Sequence, residues 1–381
     1  MLKNTVILSL SVIALSVGLP FGINALSENQ GFKEFADKLK YKKPQLQMTD
    51  FSDTQSDTPF FSHGFSAEFH WVKENPPDKN PPSTDNKPIE LPLPDKEILS
   101  KIPYPDDIDD NDGTIQAMQY GFYTAPSYIT LKNGGQVRNC TNISNDTLLE
   151  LSNQKPDLKI ELDSSEPQVL IYHSHATESY EPYSRDFYDA DFSSKTTDIT
   201  KNMIAVGEEI VSQLEEAGIC TLHDKSIHDY PSYNDAYNSS RKSVIEILEQ
   251  YPSIKVVLDI HRDGIEREDG TRIAPVVEVD GEKAAQVMII SCCDDGSGNI
   301  PLYKENFKLA SLFQSQLETD YAGITRPVLF DSRFYNQDLS VGSLLIEIGS
   351  HGNSLSEAKL SGRLVGKSIS DALKNLSEPV D

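Results

Sequence analysis

Four cysteines in 381 residues, Cys140, Cys220, Cys292 and Cys293, show no metal-ligand spacing, which excludes a cysteine-built zinc module. The adjacent Cys292 and Cys293 are poorly placed to bridge each other. A Cys140 to Cys220 disulfide stays open, and the count fixes no redox compartment. Basic residues are also scarce. Lys and Arg number 34 against 59 acids, a net charge of −25. The deficit is spread along the chain, with 18 acids against 10 bases in residues 27–112 and 41 against 23 in residues 113–381. That balance argues against a nucleic-acid partner, because binding a polyanion by counterion release needs the opposite charge. No internal repeat is present. The length therefore suits one large domain with appendages.

Long apolar runs are nearly absent too. The exception is the uncharged stretch from Thr5 to Ile23, which follows Lys3 and is about long enough to cross a bilayer as a helix. A cleaved signal would want a small-x-small site, and Ile23-Asn24-Ala25 offers half of one. Residues 1–26 are accordingly expected to be an uncleaved single-pass membrane anchor, with the bulk of the chain outside the cytoplasm. Gly31 to Tyr41 has the spacing of a short amphipathic helix near lipid headgroups. Residues 74–112 are dense in Pro and acid and almost without aromatics. Such a stretch cannot bury enough apolar surface to offset ordering entropy, so residues 27–112 read as a juxtamembrane segment and a disordered, polyproline-like spacer.

The folded domain is expected over residues 113–381, opening with a small lead-in subdomain over 114–155 that ends in a polar helix. Val169 to Tyr172 is an apolar strand. Thr197 to Ala217 has helical periodicity and stops at Gly218, and Tyr233 to Gln250 is a second helix ending before Pro252. Ile254 to Ile260 is a β-branched run suited to a central parallel strand. Residues 271–291 read as two strands joined around Asp280-Gly281. A helix (Asn306–Thr319), a short strand (Val328–Phe330), a strand (Ser343–Ile348) and a helix (Ser356–Leu373) follow. This order predicts an α/β domain with a mostly parallel central sheet flanked by helices.

Two strands of that sheet end in histidine. Val169-Leu170-Ile171-Tyr172 runs into His173-Ser174-His175-Ala176-Thr177-Glu178, and the later β-branched run leads into His261-Arg262-Asp263-Gly264. Open α/β sheets place their sites at the carboxyl ends of strands. Imidazole nitrogens and a carboxylate suit a catalytic zinc, which takes three protein ligands and keeps one position open. His175 is favoured over His173, which shares the pleat of the strand. Glu178 is the carboxylate, with Glu181 as fallback, and His261 is the third ligand. Glu347, a single acid inside the apolar SLLIEI, is the expected base, because a charge there is costly unless paired, functional or protonated. Arg262 either polarises a scissile carbonyl, holds a substrate carboxylate, or forms a structural salt bridge to Asp263 or Asp259.

Taken together, HSHATESY, VVLDIHRDG and LLIEIGSHGN resemble the stage II sporulation protein P family, membrane-anchored peptidoglycan hydrolases of endospore formers related in fold to zinc N-acetylmuramoyl-L-alanine amidases. The resemblance covers roughly residues 115–375. It implies an amidase-like fold, a zinc cofactor, and amidase with endopeptidase activity on peptidoglycan in septal wall degradation and engulfment. In the wider amidases a Glu followed six residues later by Asn supplies the acid/base, an interval that Glu347 and Asn353 keep. Glu178 follows His175 more closely than the carboxylate ligand does there. The resemblance also implies a membrane-bound lytic transglycosylase and a multi-pass membrane protein as partners. Two other readings compete with it: a non-catalytic wall-binding scaffold, and a zinc deacetylase acting on wall sugars, which would more often show an Asp ligand.

Overall fold

The β-branched runs form the middle of a sheet, and the helices cover it. The computed structural model describes residues 90–105, 110–294 and 296–377; the expected anchor, the amphipathic helix at 31–41 and most of the spacer lie outside them. No helix among the described residues is long and apolar enough to cross a membrane. In chain order the elements are β1 (Gly113–Met118), β2 (Tyr128–Thr130), β3 (Gln136–Asn139), α1 (Asn145–Ser152), β4 (Val169–Tyr172), β5 (Phe187–Tyr188), α2 (Met203–Glu216) and β6 (Thr221–His223). There follow α3 (Ala236–Gln250), β7 (Val256–Asp263), β8 (Arg272–Val279), β9 (Glu282–Ala285), β10 (Val287–Cys292), α4 (Tyr303–Asp320), β11 (Val328–Asp331), β12 (Ser343–Ser350) and α5 (Leu355–Lys374).

The main sheet has eight strands in the order β2-β3-β11-β10-β12-β7-β4-β6. From β12 to β6 every pairing is parallel. β10 is antiparallel to β12, and β11 and β3 continue parallel to β10. The carboxyl ends of β4, β7 and β12 therefore meet the starts of β10 and β11 at one edge. That edge carries the chemistry. The central strands β4 and β7 are buried on both faces, as a covered parallel sheet requires: Ile171, Leu258, Ile260 and Ile346 face the core shared with α2, α4 and α5, while Leu170, Tyr172 and Val257 face Val244 and Ile247 of α3.

Several expectations are corrected by the structure. Residues 114–155 are not a separate subdomain, because β2 and β3 extend the main sheet and β1 pairs with β8 in a second sheet of order β5-β1-β8-β9. Residues 271–291 hold three strands rather than two. The hairpin at Asp280-Gly281 is formed, with φ of 53° and 84° at the two residues, the left-handed pair that a two-residue hairpin turn requires. It joins β8 to β9 in the second sheet, and β10 crosses into the main one. The helix expected from Thr197 starts at Met203, since the Asn202 side chain accepts from the Ile204 amide and caps it there. The edge strand β6 was not foreseen. None of the four cysteines is disulfide-bonded, so the Cys140 to Cys220 bridge is not formed.

The end of the Pro-rich stretch rests on the domain. Leu91 packs against the apolar cluster that holds Leu170 and Tyr172. The carbonyl of Ile102 accepts from the Thr197 amide at 2.9 Å and from the Thr196 hydroxyl at 2.7 Å. The Tyr104 hydroxyl donates to the Tyr180 carbonyl at 2.8 Å. These contacts brace the loop that carries Glu178.

Candidate metal centre

Period two in β7 places Asp259 and His261 on one face of the sheet and Ile260 on the other. His261 stands in parallel register with Glu347 of β12, so these two side chains share that face. The strand is longer than its apolar run suggests: His261, Arg262 and Asp263 lie within β7 rather than after it. His175 and Glu178 arrive from the loop after β4. One ligand atom from each of His175, Glu178 and His261 lies within 4.8 Å of the others, and all three residues are buried. The Glu178 carboxylate sits between the rings, its Oε1 3.8 Å from His175 Nδ1 and its Oε2 3.6 Å from His261 Nδ1.

Residues around the cluster fix which ring nitrogen faces inward. Ser174 donates its hydroxyl to Asp259 Oδ2 at 2.7 Å, so its oxygen can only accept from His261 Nε2, also at 2.7 Å. Asp259 Oδ1 lies 2.9 Å from the same nitrogen. His261 thus carries a proton on Nε2 and turns Nδ1 toward Glu178, the carboxylate–histidine arrangement that orients metal-binding imidazoles. Tyr233 stacks on the His175 ring at 4.3 Å between centroids, and Tyr237 lies parallel to His261 at 6.4 Å. Thr177 is held by the buried Asp229 through its amide at 3.1 Å and its hydroxyl, which fixes the residue before Glu178.

The electrostatics suit a cation. Burial lowers the His175 pKa to about 4, against the opposing pull of Glu178, so the ring is neutral at neutral pH with a lone pair available. Burial alone would raise Glu178, but the neighbouring His261 and the charge of Arg262 hold it down at about 2. Burial would likewise lower His261, and Asp259 outweighs it, raising that pKa well above the ordinary value. A cation bound there would displace the second imidazole proton. Two neutral-capable imidazoles and one carboxylate are the donor set that zinc takes in catalytic sites, and these residues fit it.

Glu347 is half-buried, and its Oε2 has no hydrogen-bond partner among the described residues. Burial and the nearby Asp263 push its pKa up to about 8. The other expected residues have different occupations. His173 points away from the cluster: Nδ1 donates to the Ile260 carbonyl at 2.9 Å and Nε2 meets His223 Nε2 at 2.9 Å. Glu181 pairs with Arg185 and Arg272 instead. Arg262 makes no salt bridge to Asp259 or Asp263. Its guanidinium donates to the backbone carbonyls of Ser179 (2.8 Å), Asp263 (3.2 Å) and Ser194 (3.2 Å), so it ties down the loop behind Glu178. Asn353 holds the turn after β12, accepting from the Ser350 amide and donating to Pro275 and Glu357.

Sequence reasoning missed Asp259, Ser174, Asp229, Tyr233 and Tyr237. Asp259 carries the same signal that selected Glu347, a lone acid in an apolar strand, and was read only as a partner for Arg262. The aromatic cover comes from the start of α3 and the turn before it, and nothing local marks it.

Known proteins resemble the chain at several levels. Stage II sporulation protein P of Bacillus subtilis (strain 168) is 30% identical over 200 residues, taking in 50% of this chain and 47% of that protein. The chain thus spans about half the length of that relative. Among solved structures, the CwlD amidase from Clostridioides difficile, seen in complex with the GerS lipoprotein, has a TM-score of 0.34 at 16% identity, covering 54% of this chain and 94% of that one. The N-acetylmuramoyl-L-alanine amidase AmiC2 of Nostoc punctiforme has a TM-score of 0.32 at 15% identity, covering 55% and 93%. Likenesses that distant carry no argument about activity. The family model of stage II sporulation protein P matches residues 96–370, a span that includes His175, Glu178, His261 and Glu347, and the chain belongs to that family.

Proposed function

We propose that the chain is a zinc-dependent peptidoglycan hydrolase that cuts the amide between N-acetylmuramic acid and the first residue of the stem peptide, and that it acts in wall degradation during sporulation. The observation that carries this reading is the convergence of His175, Glu178 and His261, with Asp259 fixing the His261 tautomer and Glu347 in register beside it. Bound there, zinc supplies Lewis acidity that makes water nucleophilic at neutral pH and polarises a carbonyl. Glu347 takes the proton from the attacking water and returns it to the leaving nitrogen. Its raised pKa keeps it able to do both near neutrality, and a dication alongside would lower it somewhat. Arg262 and Asp229 hold the loop of Glu178 in place, and Tyr233 covers His175 from solvent.

The proposal extends to location and partners. Residues 5–23 anchor the chain in the membrane with the catalytic domain on the extracytoplasmic side, and a membrane-bound lytic transglycosylase and a multi-pass membrane protein work with it. The test of the chemistry is mass spectrometry of muropeptides after digestion of purified peptidoglycan. Loss of the lactyl-amide linkage is expected. Loss of acetyl groups would point to a deacetylase, and an unchanged digest would leave a wall-binding scaffold.

A further inference from the structure

Two buried arginines lie near the cluster, and they differ in one respect. Arg262 spends its side-chain donors on three backbone carbonyls. Arg326 is as deeply buried, yet its guanidinium makes one hydrogen bond among the described residues, from Nη1 to Asp263 Oδ2 at 2.8 Å. Its Nε and Nη2 have no hydrogen-bond partner among the described residues. Leaving charged donors unpaired in the interior is costly. Neither nitrogen is needed to keep the ion pair.

The unpaired atoms are not a random pair. Nε and Nη2 form one edge of the guanidinium, and their parallel N–H bonds match the two oxygens of a carboxylate. Topology puts that edge near the chemistry. Arg326 precedes β11, whose start shares the sheet edge with the end of β7, and Asp263 is two residues beyond His261. The charge of Arg326 is close enough to Glu347 to draw its pKa down against burial and Asp263. The backbone of Arg326 is fixed, with its amide donating to the Val287 carbonyl at 2.7 Å and its carbonyl accepting from Gln314 at 3.1 Å.

We infer that Arg326 is a specificity residue that takes a carboxylate of the stem peptide side-on through Nε and Nη2. This rests on the hydrolase reading above. A stem peptide offers such a group, since its second residue is joined through the side-chain carboxyl and leaves the α-carboxylate free close to the scissile amide. A cleft of about 640 Å³ is lined by Tyr120, Arg138 and the 265–269 loop, and Tyr120 is the lining residue that also meets Arg326. Its charges are mixed, so the cleft alone selects little, and selection falls to Arg326 behind Tyr120. The half-buried ring of Tyr120 lies 5.7 Å from the guanidinium carbon, and its backbone is pinned to the Gln286 side chain.

The experiment compares two muramyl peptides, one with the second-residue carboxylate free and one with it as the primary amide, cleaved by the zinc-loaded full chain. The free acid is expected to have the higher kcat/KM by roughly 10- to 150-fold, the range for a hydrogen bond to a charged group. In R326K, which keeps the charge but loses the fork, the two substrates should come within about threefold of each other. A wild-type ratio near one overturns the inference while leaving the hydrolase reading intact, and it needs no variant to fold. A preference retained in R326K also overturns it. If neither peptide is cut, the hydrolase reading fails and calorimetric affinities of the same two peptides decide. Equal affinities overturn the carboxylate site, and a free-acid preference that R326K loses upholds it.

Discussion

Two histidines separated by one residue end up in opposite situations, and the difference lies in how their nitrogens are committed. On one face of the sheet His173 donates from Nδ1 to a carbonyl and accepts at Nε2 from His223, so neither nitrogen is left for a ligand. On the other face His261 commits only Nε2, and its Nδ1, like that of His175, turns to Glu178. Burial does not distinguish the pairs, since all four rings are buried. What marks the candidate site is that the Nδ1 atoms of His175 and His261 both turn to the one carboxylate of Glu178. The closed pair is built with equal care: a Cβ at Gly207 would stand 2.7 Å from His173 Nε2 and 2.8 Å from His223 Nε2, so α2 can lie over the pair only with glycine there.

The largest expected effect tests whether Glu347 belongs with the open pair. E347Q keeps the shape but cannot accept a proton, and hydrolysis of purified peptidoglycan should fall by roughly 10²- to 10⁴-fold with zinc content unchanged. Turnover within a few-fold of wild type would remove Glu347 from the chemistry. The comparison itself is broken or kept by H261A and H173A. Metal analysis should find H261A without tightly bound zinc and H173A with a full equivalent. H173A should instead lose about 1–3 kcal/mol of stability in denaturant, because His223 and the Ile260 carbonyl lose their partner. Zinc lost from H173A and kept by H261A would invert the assignment. A smaller effect belongs to Asp259: D259N should weaken zinc by roughly 10- to 100-fold by loosening the His261 tautomer, and an unchanged affinity would make the Asp259 contact structural only.

Much of this contrast was readable from the strands. The β-branched runs at β4, β7 and β12 announce buried parallel strands, and the end of the apolar run at Tyr172 already separates His173, next to the strand, from His175 farther into the loop. Which acid would sit between two distant imidazoles is harder, yet the short His175 to Glu178 spacing brings the carboxylate in from the same loop. Tertiary assembly hid the rest. Asp259 looked like a partner for Arg262 because the two are neighbours in sequence, but successive strand residues face opposite sides, so Asp259 meets His261 and Arg262 meets the loop. The second sheet escaped notice because β1 and β8, its parallel pair, lie more than 150 residues apart. Tyr233 covers His175 only because α3 packs across the end of the sheet.

The smallest expected effect concerns protons. His173 is held near a pKa of about 3 by burial and by His223, against about 6.5 in an unfolded chain. A depressed histidine contributes stability that is present above the unfolded value and is lost as pH falls toward the folded one, because the unfolded state then binds the extra proton. Glu178 behaves alike in a lower window, from its ordinary value down to about 2. Between pH 6.5 and 4.5 the histidines alone should set the slope among these groups. Denaturant unfolding of wild type across that window should steepen with acid by up to one proton more than in H173N, on the order of 1 kcal/mol per pH unit at most. His175 must be removed from the balance by saturating zinc, which blocks its protonation. Identical slopes in the two proteins would mean that His173 already carries its charge in the folded state. The closed pair would then have to be a shared-proton pair held by Glu208, whose Oε1 lies 3.6 Å from His223 Nδ1.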